Sequence, residues 1–244
     1  MLSKGQIKLI TSLKQKKFRE QHKLFVAEGI KTIQELLNSD FKLSQLFSTV
    51  SIFDVSEELE TIITPKELNQ ISFLKTPNSA LAIFEIKASN PIVLNQLVVM
   101  LDAIRDPGNL GTIIRLCDWF GITDLICSNG SVDCFNPKVI QASMGSIARV
   151  NISYENLNTV LANSDATVFG AFMDGQNVYT MNLPKSGILV LGNEANGISS
   201  ELESQISNRI AVPRFGKLQE TESLNVANAA AVLLSEFKRR TIEK

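Results

Sequence analysis

Histidine is almost absent: the chain of 244 residues has one, His22. An HExxH zinc site is therefore excluded, and a Ser-His-Asp or Cys-His relay would have to be built on His22 alone. Cysteine is nearly as scarce. Cys117, Cys127 and Cys134 are odd in number and form no CxxC pair, which argues against a disulfide framework or a thiolate zinc site and suits a reducing compartment. The chain contains no GxGxxG, and its Gly192…Gly197 segment runs on into Ile198-Ser199 with no lysine. Dinucleotide binding and Walker-type phosphate cradling both lose support. No stretch approaches the roughly 18 apolar residues of a membrane helix. Met1 to Phe18 carries lysines throughout, without the apolar centre of a signal peptide. The expectation is a cytoplasmic protein; an organelle-targeting helix is the lesser alternative, since such peptides favour arginine over lysine.

What is present is ordinary globular material, 44% apolar and 20% charged, with 13 Gly and 7 Pro. At about 150 residues per domain, this length makes one large domain or two modest ones. The net charge of −1 hides an asymmetry. In residues 1–23, Lys4, Lys8, Lys14, Lys16, Lys17, Arg19 and Lys23 face only Glu20, a surplus of +6 that leaves −7 for the rest. The positive field sits at one end.

The opening segment reads as a helix, with capping-box spacing at Ser3 and Gln6 and apolar Ile7, Ile10, Leu13 and Phe18 among the lysines. A second helix over Gly29 to Leu37 and apolar runs at Leu43 to Val50 and Leu81 to Ile86 predict a small mixed α/β unit. Ala88-Ser89-Asn90-Pro91 reads as a linker, dividing the chain into residues 1–90 and 91–244. Beyond it, short apolar runs alternate with helical patterns, as in βα units around a mostly parallel sheet with helices on both faces. Strands are expected at Val98 to Ile104, Asp124 to Cys127, Ala166 to Phe172, Ile188 to Leu191 and Arg209 to Val212. Helices are expected at Asn109 to Phe120, Pro137 to Ala142, Glu155 to Leu161, Ser200 to Gln205 and Ser223 to Arg240.

In an open α/β sheet, ligands gather where strands end, and three post-strand segments stand out. After the first strand comes Asp106-Pro107-Gly108-Asn109, with Asn109 placed to cap a helix that carries Arg115. The second is Leu191-Gly192-Asn193-Glu194-Ala195-Asn196-Gly197, where two glycines permit close backbone approach to a ligand. The third runs from Val212-Pro213-Arg214-Phe215-Gly216 to Ser223-Leu224-Asn225, with Ser223 placed to cap the last helix. In that helix Ala227, Ala230 and Ala231 allow another helix to come close.

Together these segments resemble the three motifs of the SpoU (TrmH-like) RNA ribose 2′-O-methyltransferases of the SPOUT class, from about Leu97 to Arg240. Ser3 to Leu37, with Phe25-Val26-Ala27-Glu28-Gly29, is similar to their amino-terminal substrate-binding domain. The resemblance implies an α/β fold with a deep trefoil knot, a homodimer through the knotted domain, and S-adenosylmethionine as cofactor with no metal. It places catalytic residues at Asn109, Arg115, Glu194, Ser223 and Asn225, and backbone contacts to the cofactor at Gly192, Val212 and Leu224. A guanidinium is effectively always protonated. Arg115 is therefore expected to stabilise a developing alkoxide while an RNA phosphate or water takes the proton, with Asn109 orienting Arg115 or the ribose and Glu194 holding the loop or a basic partner. The implied substrate is RNA, ribosomal RNA ahead of transfer RNA, with the basic first helix contacting phosphates. The alternative of another class is an RNA-binding or ribosome-assembly protein that has lost catalysis. Two departures from the family pattern are Ala195, where many relatives have glycine, and a longer connection from Lys217 to Glu222.

Overall fold

The computed structural model describes residues 1–216, 218 and 223–239. Except for Leu218, the connection Lys217 to Glu222 lies outside the described residues, as does Arg240. The chain forms two compact units, one of residues 1–88 with 133–149 and the other of residues 89–132 with 150–244.

In the first unit, the capping box joins Ser3 and Gln6 and starts α1 (Lys4–Ser12). The amphipathic pattern does not continue as one helix, however. Thr11 and Ser12 turn their hydroxyls back onto the carbonyls of Ile7 and Leu9, and the chain restarts as α2 (Lys16–His22). Arg19 explains why the break is tolerated: its buried guanidinium donates to the carbonyls of Leu13 and Lys14, at 2.8 and 2.9 Å, and pairs with Asp133. Of the seven cations counted in the sequence, Arg19 is thus structural, while the six lysines project into solvent.

The chain continues through β1 (Leu24–Glu28), α3 (Ile30–Leu37), β2 (Leu43–Ser48), β3 (Glu60–Ile62), α4 (Pro65–Ile71) and β4 (Ala80–Glu85). The sheet order is β1-β4-β2-β3. Helix α4 begins with a second capping box, between Thr64 and Glu67. The Glu67 carboxylate accepts from the backbone N–H groups of Thr64 and Leu2 and from the Thr64 hydroxyl, which lowers its pKa from 4.5 to about 2. A depressed carboxylate contributes stability that is present above its unfolded pKa and is lost as pH falls through the folded one. Urea unfolding should show wild type more stable than Glu67→Gln at neutral pH. That gap should close between pH 4.5 and about 2; a constant gap would mean that the ionised form is not what is being stabilised.

The second unit opens with β5 (Leu97–Leu101), α5 (Pro107–Trp119) and β6 (Asp124–Ser128). Residues 133–149, with α6 (Pro137–Ser143), then belong to the first unit, in place of the continuous division at residue 90. Specific contacts hold them there: Asp133 on Arg19, the Phe135 ring 4.8 Å from that of Phe25, and Arg149 on Glu35. The second unit resumes with β7 (Asn151–Glu155), α7 (Leu157–Ala162), β8 (Val168–Asn177), β9 (Gly187–Leu191), α8 (Ser200–Glu203), β10 (Asn208–Ala211) and α9 (Val226–Arg239). Its strands form one parallel sheet in the order β10-β8-β9-β5-β6-β7.

Strands β5 and β9 are buried along their whole length, because both faces of the sheet are covered. Val98, Met100, Ile188 and Val190 pack on one side with Leu157 and Leu161 of α7 and Leu202 of α8. Successive side chains alternate across a strand, so Val99, Leu101, Leu189 and Leu191 face the other side. There Phe169 of β8 meets Phe237 of α9 edge-on, with ring centroids 5.3 Å apart. Ala227 and Ala230 are already buried in the single chain, and the helix that approaches α9 closely is α5. Among the described residues, no helix is long and apolar enough to cross a membrane.

Candidate active site

The carboxyl ends of β5, β9 and β10 carry the three segments singled out in the sequence. At the first, Asp106, rather than Asn109, caps α5 by accepting from the Asn109 N–H at 2.8 Å. The Asn109 side chain is thereby left for other work. Its amide donates to Glu194 in the loop after β9, and its oxygen accepts from the amide of Asn225 at 3.0 Å. The caps shift in the third segment too. Asn225, rather than Ser223, closes the start of α9, its Oδ1 accepting from the N–H groups of Ala227 and Asn228 at 3.0 and 3.3 Å. One continuous hydrogen-bonded chain thus runs Asn225, Asn109, Glu194, across three loops that are distant in sequence.

The loop after β9 is tightly closed. Asn193 and Gly197 exchange backbone hydrogen bonds at 3.0 and 2.8 Å, and Gly197 takes the left-handed φ of 68°. Ala195, the departure from the family pattern, does not have a positive φ; its N–H donates to Asn193 Oδ1 at 2.9 Å. The loop is fastened to the one after β5 at both ends, by Asn193 Nδ2 to the Ala103 carbonyl and by the Ser199 N–H to Asp102, each 2.8 Å. A Cβ at Gly192 would come within 2.2 Å of the Gly197 carbonyl carbon and 2.3 Å of the Ile198 nitrogen, so only glycine allows this closure.

Beside this loop lies a cavity of about 1050 Å³. Gly192, Glu194, Val212, Ser223 and Leu224, all named from the sequence, are on its lining. Asn193, Phe172, Met173 and Phe215 also line it and were not singled out as site residues. The signal for Asn193 was its place between a buried strand and a glycine turn. Phe172 ends a stretch that reads in sequence as plain strand, and Met173 follows it directly. At Gly197 and Gly216, both on the lining, no atom lies within 4 Å of where a Cβ would sit. The walls are mainly apolar, with Glu194, Asn193, Arg214 and Ser223 as polar points. A small-molecule site of this size buries most of a drug-sized ligand and orients it with a few polar groups. The S-adenosylmethionine that the family resemblance implies, with its aromatic base and cationic sulfonium, would meet apolar walls and the Glu194 carboxylate here, with Arg214 on the same lining.

Arg115 stands apart. It is not on the cavity lining, and six residues along α5 carry it about 120° around the helix from Asn109. The expectation that Asn109 orients it is not met: no hydrogen bond joins them among the described residues, and the Asn109 amide is committed to Glu194 and Asn225. Arg115 is exposed, on the same face of α5 as Thr112 and as Trp119, which is 83% exposed. The buried cysteines of this unit are poor nucleophiles. Burial pushes the Cys117 thiol up to about 12 and the Cys127 thiol up as well.

The Asn225 side chain serves the cap and the site at once, and the two roles are separable. Asn225→Ala should lower unfolding free energy by about 1 kcal/mol, the usual value of such a cap, and should also release Asn109. Asn225→Asp keeps an acceptor for the cap while removing the donor to Asn109. Urea denaturation should find the aspartate variant near wild-type stability, and a separate activity assay should find turnover reduced in both variants.

Residues 96–235 match the SpoU rRNA Methylase family, and residues 4–82 match an MRM3-like substrate binding domain. The chain is similar to the 23S rRNA (guanosine(2553)-2'-O)-methyltransferase RlmP of Bacillus subtilis, 29% identical over 232 residues that cover 91% of this chain and 92% of that protein. Its structure is similar to that of a TrmH-family protein from Porphyromonas gingivalis, with a TM-score of 0.89 and 39% identity, covering 98% of this chain and 99% of that one. An AdoMet-bound rRNA methyltransferase from Sinorhizobium meliloti superimposes with a TM-score of 0.87 at 27% identity, covering 100% of this chain and 97% of that one. With the family match spanning more than half of the chain, and two strand-end loops lining one cavity while the third is hydrogen-bonded to them, the protein belongs to the SpoU rRNA methylase family.

Proposed function

We propose that this chain is an S-adenosylmethionine-dependent methyltransferase that modifies a ribose 2′-hydroxyl in ribosomal RNA. The observation that carries the reading is the Asn225–Asn109–Glu194 hydrogen-bonded chain beside a cavity lined by Gly192, Val212 and Leu224. S-adenosylmethionine, when bound, supplies an electrophilic methyl group. Gly192, Val212 and Leu224 would hold it through their backbones, and Glu194, fixed by Asn109, would present a carboxylate at the cavity wall. Ser223 lines the same cavity and offers a hydroxyl to substrate or cofactor. Ribosomal rather than transfer RNA is favoured by the 23S rRNA enzyme to which the chain is similar along nearly its whole length. Contact with RNA phosphates would come from the exposed lysines of α1 and α2, giving affinity without base specificity.

The reading includes the trefoil knot of the family and a homodimer through this unit. The dimer contact is better placed on the exposed face of α5 than on Ala227 and Ala230 of α9, which the chain itself buries. An exposed tryptophan is the kind of side chain that interfaces cover. In that arrangement Arg115, beside Trp119, would serve the cavity of the partner copy. The test is a map of 2′-O-methylation across total RNA from a deletion strain and its parent. One mark on ribosomal RNA should vanish and return with the wild-type gene, while Arg115→Ala should fail to restore it. An unchanged map would overturn the reading.

A further inference from the structure

Strand β8 does not run evenly along β10. Gly170 pairs with Arg209 and Gln176 with Ile210, so five residues of β8, Ala171 to Gly175, bulge out opposite a single step of its neighbour. Both ends of the bulge are glycines with no room for a side chain. A Cβ at Gly175 would lie 2.4 Å from the Ile210 carbonyl carbon, and one at Gly170 would lie 2.5 Å from the Phe172 ring. The bulge supplies Ala171, Phe172 and Met173 to the cavity lining. Bulges of this kind re-aim side chains beside functional sites. Glycine ends also leave the segment free to move unless something pins it.

The pin is Arg209, at the register break. Its guanidinium carbon sits 3.7 Å from the centroid of the Phe172 ring. One Nη donates to Asp174 within the bulge and the other to Glu203 at the end of α8. Among the described residues, Asp174 to Arg209 is the only side-chain hydrogen bond made by Ala171 to Gly175. An arginine can do this because its planar fork stacks on a ring while donating in two directions, which an ammonium cannot.

We propose that Arg209 is a positioning residue for the cofactor cavity, holding the bulge of β8 so that Phe172 and Met173 form a fixed wall. The proposal rests on the reading that this cavity takes S-adenosylmethionine. Arg209 itself is not on the lining and acts through Phe172 and Asp174.

Two measurements on the full chain test it. Hydrogen exchange of the free protein should show faster exchange at residues 171–175 in Arg209→Met than in wild type, with β5 and β9 unchanged. Calorimetric titration with S-adenosylmethionine and with S-adenosylhomocysteine should show a Kd raised about tenfold in Arg209→Met, the size of one stacked cation with its ion pairs. The KM for S-adenosylmethionine should rise in step while kcat stays put. Arg209→Lys should restore little of the affinity. Asp174→Asn, on an exposed side chain, should weaken binding in the same direction with the fold intact, which keeps the proposal testable if Arg209→Met does not fold. Wild-type exchange and wild-type Kd in both Arg209→Met and Asp174→Asn would overturn the proposal. Were the wild type to bind neither compound, the cavity reading would fail instead, and the exchange data would still decide whether Arg209 pins the bulge.

Discussion

Arg115→Ala is expected to lose methyl transfer by about 10²–10³-fold, the cost of removing one preorganised donor from a developing oxyanion, while its Kd for S-adenosylmethionine remains that of wild type. The second half of this expectation follows from position. Arg115 is exposed on α5 and absent from the cavity lining, so removing it leaves the cofactor walls intact. Arg115→Lys should fall nearly as far, because an ammonium keeps the charge but lacks the planar fork. Single-turnover rates with saturating RNA, set beside calorimetric titration, separate the two quantities. If Arg115→Lys kept a near-normal rate, the role of the fork would be abandoned. The proposed dimer sharpens the test. Co-expressing Arg115→Ala with a variant that cannot bind cofactor gives mixed dimers in which one site has both an intact cavity and a partner's arginine. With random pairing half the dimers are mixed and each has one working site, so about a quarter of wild-type activity should return. If Arg115 served its own chain's cavity, the mixture would stay inactive.

The second unit was legible because its strands are buried on both faces and therefore read as uninterrupted apolar runs; β5 and β9 are the clearest cases. Strand β7 was not legible. At Asn151–Glu155 it is a half-buried edge, and its polar residues merged in the sequence with the start of α7. The bulge in β8 is hidden for a related reason: Ala171-Phe172 reads as the end of a strand, and only the partner register shows that it leaves the ladder. Helices α1 and α2 read as one because the break between them is supported by Arg19, whose carbonyl contacts and Asp133 partner depend on tertiary structure. Residues 133–149 cluster by contact with the first unit although the family match carries them with the second, and sequence order does not show this, since Phe135 and Asp133 find their partners more than a hundred positions away. In the site, the residue types were legible and their duties were not. Asn109 and Ser223 read as caps from their place before helices, but Asp106 and Asn225 have the backbone geometry for that work. Each of these misreadings concerns a polar side chain choosing between a local backbone partner and a distant side chain, a choice that spacing alone does not decide.

Gly192→Ala should abolish detectable S-adenosylmethionine binding while leaving the protein folded. The added methyl group would stand 2.2 Å from the Gly197 carbonyl carbon, a contact with backbone rather than with a flexible side chain, so the loop itself must move. Three fastenings resist that movement: the paired backbone bonds of Asn193 with Gly197, Asn193 to the Ala103 carbonyl, and Ser199 to Asp102. Forcing a methyl group into so tight a space costs about 1–3 kcal/mol, less than the 5–15 kcal/mol of a typical folded domain. The sheet should therefore survive and the loop give way. Because Glu194 sits inside that loop and is held by Asn109, its carboxylate would shift together with the backbone groups of Gly192 that face the cavity. Calorimetry should show no heat with S-adenosylmethionine, thermal unfolding should remain cooperative at a lower midpoint, and addition of S-adenosylmethionine should raise the midpoint of wild type only. Gly197→Ala makes the matched control. No atom is within 4 Å of its Cβ position, yet φ there is 68°, so its cost is backbone strain without collision. It should weaken binding less than Gly192→Ala does. Equal binding by wild type and Gly192→Ala would show that the close approach of Gly192 to Gly197 is not what shapes the cofactor site.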